Sequence, residues 1–195
     1  MRMRELHAAT VAVAALVGAT SAQAEGSYGI GRPATAAEIA GWNIDVDSQG
    51  NNLPPGSGSV NHGREVFDQQ CAACHGPKGE GGLGDQLVGG QGTLATRNPV
   101  RTVGSYWPYA PTLFDYIRRA MPQNAPQSLS NEDVYAVSAY ILNLNGLLPT
   151  DALLDAKTLS AIEMPNRGMF VGDPRPDVKD PECMKECGGS GQGKP

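Results

Sequence analysis

Five consecutive residues, Cys71-Ala72-Ala73-Cys74-His75, carry the most specific chemistry in the chain. Two thiols three positions apart with a histidine directly after them form the attachment pattern for a c-type haem. Each thiol adds to one vinyl group of the porphyrin, and a helical turn sets both sulfurs along one edge. His75 then lies beneath the iron with a ring nitrogen free to ligate it. The same cysteines could instead be a redox dithiol, half a zinc site or a disulfide. A zinc site needs two more ligands at comparable spacing, yet Cys183 and Cys187 lie over a hundred residues away with no histidine beside them. A thioredoxin-like dithiol needs a strand-helix context that is missing around residue 71. One haem follows by subtraction, because Gly188 stands where a second motif needs its histidine.

The ligand on the far side of the iron separates electron transfer from catalysis. An open position favours ligand binding, whereas His/Met ligation raises the potential and suits electron transfer. Beyond the N-terminal segment the methionines are Met121, Met164, Met169 and Met184. Met121 leads, because it follows a helical pattern and precedes Pro122, which fixes the turn and presents the thioether inward. Met164, also followed by a proline, is the rival, and a gap-filling role in the core is the plain alternative for Met121. His62 lies near the start of the helix leading to the cysteines and reads as a surface or cap residue. The carbonyl of Pro77 is the expected acceptor for the His75 ring N–H. Gly79, Gly81, Gly82 and Gly84 would let the chain run close to the haem plane. Tyr106 and Trp107, in the run Tyr106-Trp107-Pro108-Tyr109, are candidates for the haem pocket wall, and Arg101 for pairing with a propionate. An ordinary aromatic core patch explains the same run.

Helices must position these groups. The spacing predicts a helix over 61–71 that delivers Cys71, with Val66 and Phe67 turned onto one side. A Gly-rich loop without periodicity follows over 76–92. A second helix is expected over 112–120, opened by a Thr112/Asp115 capping box and ended by Pro122. The third, 130–145, has Ser130 as cap, Asp133 three residues on, and Leu129 stapling onto Val134. Its stripe is Val134, Val137, Ile141 and Leu144, and its stop is Gly146. A short turn over 35–42 has Thr35/Glu38 capping-box spacing, and another short helix is expected over 151–159. No strand pair or internal repeat is expected. The fold class is therefore all-α.

Composition fits one modest core with much loop: 18 % charged residues, 25 glycines, 15 prolines and 6 % aromatics. A buried cofactor would add apolar volume to so thin a core. Arg2 and Arg4, the apolar run 8–19 and Ala22-Gln23-Ala24 form a three-part export signal, with cleavage expected after Ala24. An uncleaved anchor needs a longer apolar run, and no other segment is long enough to span a bilayer. Cleavage leaves 13 basic and 19 acidic residues, a net charge of −6. That balance gives no footprint for nucleic acid and is compatible with docking on a basic protein patch. The expected organisation is a signal over 1–24, an extended arm over 25–58, a haem domain over 59–148 and an extension and tail over 149–195. Cys183 and Cys187 are a candidate disulfide at a helix end or turn, since Cβ atoms four apart in a helix sit about 5–6 Å apart and a disulfide needs about 3.8 Å. Free thiols are the alternative.

Together the export signal, Cys71-x-x-Cys74-His75, Met121-Pro122 and the following helix with Tyr135 and Tyr140 resemble a class I cytochrome c over about residues 59–148. The resemblance implies three to five helices around one covalently bound haem c, here with an extended N-terminal arm and a C-terminal tail. The flanks add a narrower likeness through residues 29–35, 87–92, 102–109 and 140–146. These segments resemble the cytochrome (D) subunit of Sox-type sulfane dehydrogenase over about residues 29–170, in a shortened single-haem form. Best-known members carry a second haem domain, whereas this sequence stops shortly after Cys187. The resemblance implies a periplasmic electron-transfer subunit that accepts electrons from a molybdenum, sulfite-oxidase-like partner acting on sulfane sulfur or sulfite. A small cytochrome c or an oxidase would take the electrons onward. It matches Cys71, Cys74, His75 and Met121 to the haem positions. Two other readings are a free-standing cytochrome shuttle and a haem enzyme acting directly on thiosulfate or peroxide. The latter needs an open or cysteine-ligated iron and acid-base groups that do not surround the motif.

Overall fold

The computed structural model describes residues 30–172. The signal segment, Gly29, Cys183, Met184 and Cys187 lie outside the described residues. Those described fall into two units, one ending at Asn43 and one beginning at Ile44.

In the first unit, α1 (Ala36–Trp42) opens as its sequence predicts. The Thr35 side chain accepts the Glu38 N–H, and the Glu38 carboxylate accepts the Thr35 N–H in return. Arg32 pairs bidentately with the same carboxylate, and the Glu38 carboxyl is pulled down to about 2 by this guanidinium, then by Thr35. No residue of α1 is buried, and Trp42 is 87 % exposed.

The second unit runs β1 (Ser57–Ser59), α2 (Val60–Gln70), α3 (Ala72–His75), α4 (Ala110–Ala120), α5 (Asn131–Leu144), β2 (Leu153–Asp155) and α6 (Ala156–Ser160). The expectation of helices alone needs one correction. β1 and β2 pair antiparallel, with Gly58 opposite Leu154. Each strand has three residues and buries only its middle one, too short a run for alternation to register in the sequence. The helix expected over 151–159 gives its first half to β2 and is capped at Asp155 instead, where the carboxylate accepts the Thr158 N–H.

α5 is the axis of this unit. Residues 134–142 are all buried, so the helix is covered on every side rather than along one stripe. Its main partner is α2, and the crossing is unusually close. A Cβ added at Gly63 would stand 1.9 Å from the Ala136 carbonyl oxygen, and one at Gly58 would stand 2.1 Å from the Ala136 nitrogen. Glycine at both positions allows main chain to meet main chain, and the Phe67 and Tyr140 rings then meet edge to face at 5.4 Å. α4 closes another side through Phe114, whose ring lies 4.4 Å from that of Tyr135.

α4 also corrects an expectation. It begins at Ala110 with Pro111 in its first turn and has no side-chain cap. Asp115 therefore sits mid-helix, where its carboxylate is nearly buried and bonded to Arg119 and to the Val46 N–H. Val46 itself belongs to the core, and Pro54 accepts the Tyr135 hydroxyl at 2.8 Å, so residues 44–56 strap across α4 and α5. On the C-terminal side Leu154, Leu159 and Met164 complete the same core. Among the described residues no helix is long and apolar enough to cross a membrane.

Candidate haem site

Cys71 caps α2 with φ −122° and ψ −38°, which breaks the helix and starts the single turn α3. The Cys74 and His75 amides both donate to the Cys71 carbonyl, at 3.1 and 3.0 Å. That turn keeps Cys71 and Cys74, three apart, on one face with His75 beside them. The buried Val66 and Phe67 anchor α2 one turn earlier, so the position of the motif follows from the α2–α5 crossing.

The glycine loop folds back onto this turn. The Gly81 amide donates to the His75 carbonyl at 2.7 Å and the Gly84 amide to the Cys74 carbonyl at 2.8 Å, satisfying the end of α3. Gly84 lies so close to the imidazole that a Cβ there would stand 2.9 Å from Cε1. The ring is held by hydrogen bonding too. Its Nδ1 is 2.7 Å from the Asp85 carbonyl oxygen, not that of Pro77 as the sequence suggested. A carbonyl only accepts, so Nδ1 carries the proton and Nε2 keeps its lone pair for a metal. Asp85 contributes through its main chain, which leaves no signature in the residue type.

A second support, also missed by sequence reading, is Asn145 at the end of α5. Its Nδ2 donates to the Leu87 and Ile141 carbonyls at 3.1 and 2.9 Å, and its Oδ1 accepts the Gly89 N–H at 3.0 Å. Leu87 is thereby pinned where the loop closes. The signal was its place directly before Gly146, where a helix end needs its carbonyls met.

Met121 ends α4 in extended backbone, its N–H bonded to the Ile117 carbonyl at 3.0 Å. It is half-buried against the core, as are Cys71, Leu87 and Trp107. Met164 is enclosed in the core and Met169 is 71 % exposed. Trp107 meets Tyr116 at 5.9 Å, edge to face. Arg101 and Tyr106 are brought together. The Arg101 guanidinium lies over the Tyr106 ring at 5.7 Å, and Tyr106 faces Phe170 across an open groove of about 470 Å³ that Leu94 and Asn166 also line. Among the described residues no hydrogen bond or ring contact joins Arg101 or Tyr106 to Cys71, Cys74 or His75. His62 bridges to Asp133 at 2.7 Å and joins the starts of α2 and α5.

The donor set fits a covalent haem. Two free thiols lie on one turn, with an imidazole whose Nδ1 is bonded to the Asp85 carbonyl. Cys71, Ala72, Leu87, Trp107 and Met121 pack half-buried against the core, and Leu83 is 92 % exposed within the loop. Burial, then the neighbouring Cys74, pushes the Cys71 thiol up to about 11.

A family model described as cytochrome c oxidase, cbb3-type, subunit III matches residues 58–141. In the crystal structure of the sulfane dehydrogenase SoxCD from Paracoccus pantotrophus, one chain is 38 % identical to this one. The match has a TM-score of 0.73 and covers 87 % of this chain and 86 % of that chain. Comparison with the curated proteins gives no match.

Proposed function

This chain belongs to the Sox-type cytochromes c, and from that premise we propose that it is the periplasmic haem subunit of a reduced-sulfur dehydrogenase. In this reading it accepts electrons from a molybdenum, sulfite-oxidase-like partner that oxidises sulfane sulfur or sulfite, and passes them to a small cytochrome c or an oxidase. Cys71 and Cys74 would hold one haem c by thioether bonds, His75 Nε2 and the Met121 sulfur would bind its iron, and a reversible one-electron change is the chemistry the group supplies when bound. The protein's own contribution is positional. The Asp85 carbonyl fixes the His75 tautomer, Gly84 lets the loop lie against the imidazole, and Asn145 pins Leu87 where the loop closes. No acid-base pair is needed for such work. The chain is a relay rather than a catalyst on sulfur.

One observation carries the reading. The likeness to the sulfane dehydrogenase chain spans 87 % of this chain, whereas the haem-domain match stops at residues 58–141. A free shuttle needs only the latter part, and similarity in the flanks is what a shared partner would maintain. The test is size-exclusion and stopped-flow comparison of the intact haem protein with one lacking residues 25–42, each with the molybdenum subunit. Residues 44–56 stay in place because they strap the core. Trimming is expected to leave the haem spectrum intact, weaken the complex and slow reduction by the sulfur substrate. Equal affinity and equal rates would mean a free shuttle instead.

A further inference from the structure

We propose that Asp115 and Arg118 are positioning residues for the Met121 thioether, tying the root of the N-terminal arm to the far ligand of the iron. The inference rests on the reading of Met121 as that ligand. Met121 is the cap of α4, bonded through its N–H to Ile117, so its sulfur goes where the last turn of α4 goes. Leu113, Phe114 and Ile117 hold the inner face of the helix in the core. Apolar packing of that kind sets how near a helix lies, but tolerates small rotations and slides, because it is non-directional.

Directional bonds supply the rest. Asp115 Oδ1 accepts the Val46 N–H at 2.8 Å and Arg119 Nε at 2.9 Å, while Oδ2 accepts a second Arg119 N–H at 2.5 Å. The residue is 7 % exposed, and a carboxylate so placed needs hydrogen-bond partners for its oxygens. Arg118 donates from Nη1 to the Ile44 carbonyl at 2.8 Å. Helix stabilisation alone would need only the Asp115–Arg119 pair, four residues apart. The two further bonds reach from neighbouring turns of α4 to the main chain of residues 44–46. They fix the rotation and height of the helix against a segment distant in sequence.

That segment is where the compact unit begins, directly after Asn43. Ile44 and Val46 are bonded to the helix that ends at Met121. The coupling is mechanical. It gives a docked partner a route to the strength of the iron–sulfur bond without touching the haem.

The test uses the full-length haem protein with Asp115→Asn, which weakens the acceptor, and Arg118→Met, which keeps the apolar stem and removes the donor. Leu154→Ala, buried in the sheet, serves as a destabilised control. Both anchor variants are expected to lose part of the long-wavelength methionine-to-iron band, to show a lower reduction potential, and to let added imidazole displace the methionine at a tenfold lower concentration. The control is expected to match the parent in all three. Parent values in both anchor variants, or equal changes in Leu154→Ala, overturn the proposal. Met121→Ala separates the two layers. If it keeps the band, the ligand reading falls and the anchor with it. If it loses the band while the anchor variants do not, only the anchor falls.

Discussion

The imidazole of His75 shows how little of a site needs to be side chain. Its outward nitrogen is set by a main-chain carbonyl at Asp85 and by the bare Cα of Gly84. Motif residues were legible because thiol, thiol and imidazole must be those residue types. Asp85 was not legible, because any residue supplies a carbonyl. Cys71→Ala and Cys74→Ala are expected to weaken covalent haem retention, and the double change to abolish it, as read by haem stain on a denaturing gel. Met121→Ala is expected to remove the methionine-to-iron band and lower the potential, since water or a weaker donor replaces the thioether. The enclosed Met164 is a core residue in this fold. Met164→Ala should therefore lower the free energy of unfolding by about 2–5 kcal/mol and leave that band in place. The reverse pattern would exchange the two methionines.

Among the elements, α2 and α5 were readable in advance, and their closest approach was not. Ser130, Asp133 and Gly146 bound α5 because caps and stops are local chemistry. The crossing depends instead on two glycines meeting Ala136, a fact about pairs of residues some seventy positions apart. Gly63→Val is expected to destabilise the fold by about 3 kcal/mol, since no rotamer removes a Cβ from the Ala136 carbonyl. Denaturant unfolding of the haem protein checks this, and a loss below about 1 kcal/mol would mean that the helices slide apart without penalty. The start of α4 was misread for a related reason. Thr112 and Asp115 have capping spacing, but Asp115 answers to Val46, and long-range pairing overrode the local signal. Both three-residue strands escaped notice because they exist only as a pair.

For the molecule as a whole, acidity is the clearest lever. Burial would raise the Asp133 carboxyl, but the Ser130 and His62 hydrogen bonds and the His62 charge outweigh it and hold it below its ordinary value of 3.8. Bonds from Thr158 likewise lower Asp155. A lowered folded value means stability that is present above the ordinary value and lost as pH falls through the folded one. The thermal midpoint is therefore expected to drop as pH falls below about 4. Asp133→Asn should flatten part of that fall, and an unchanged acid limb would remove Asp133 from the account. Both ends of the core matter to such measurements, for Ser57 pairs with Asp155 and Ser59 with Leu153. Cα atoms paired across antiparallel strands lie about 4.5–5.5 Å apart. The polypeptide thus enters and leaves the haem-bearing helices at one spot, as a parcel does on its string. Such a unit can be spliced into a longer chain when residues 44–56 and 156–164 travel with it, because Val46, Leu159 and Met164 belong to its interior.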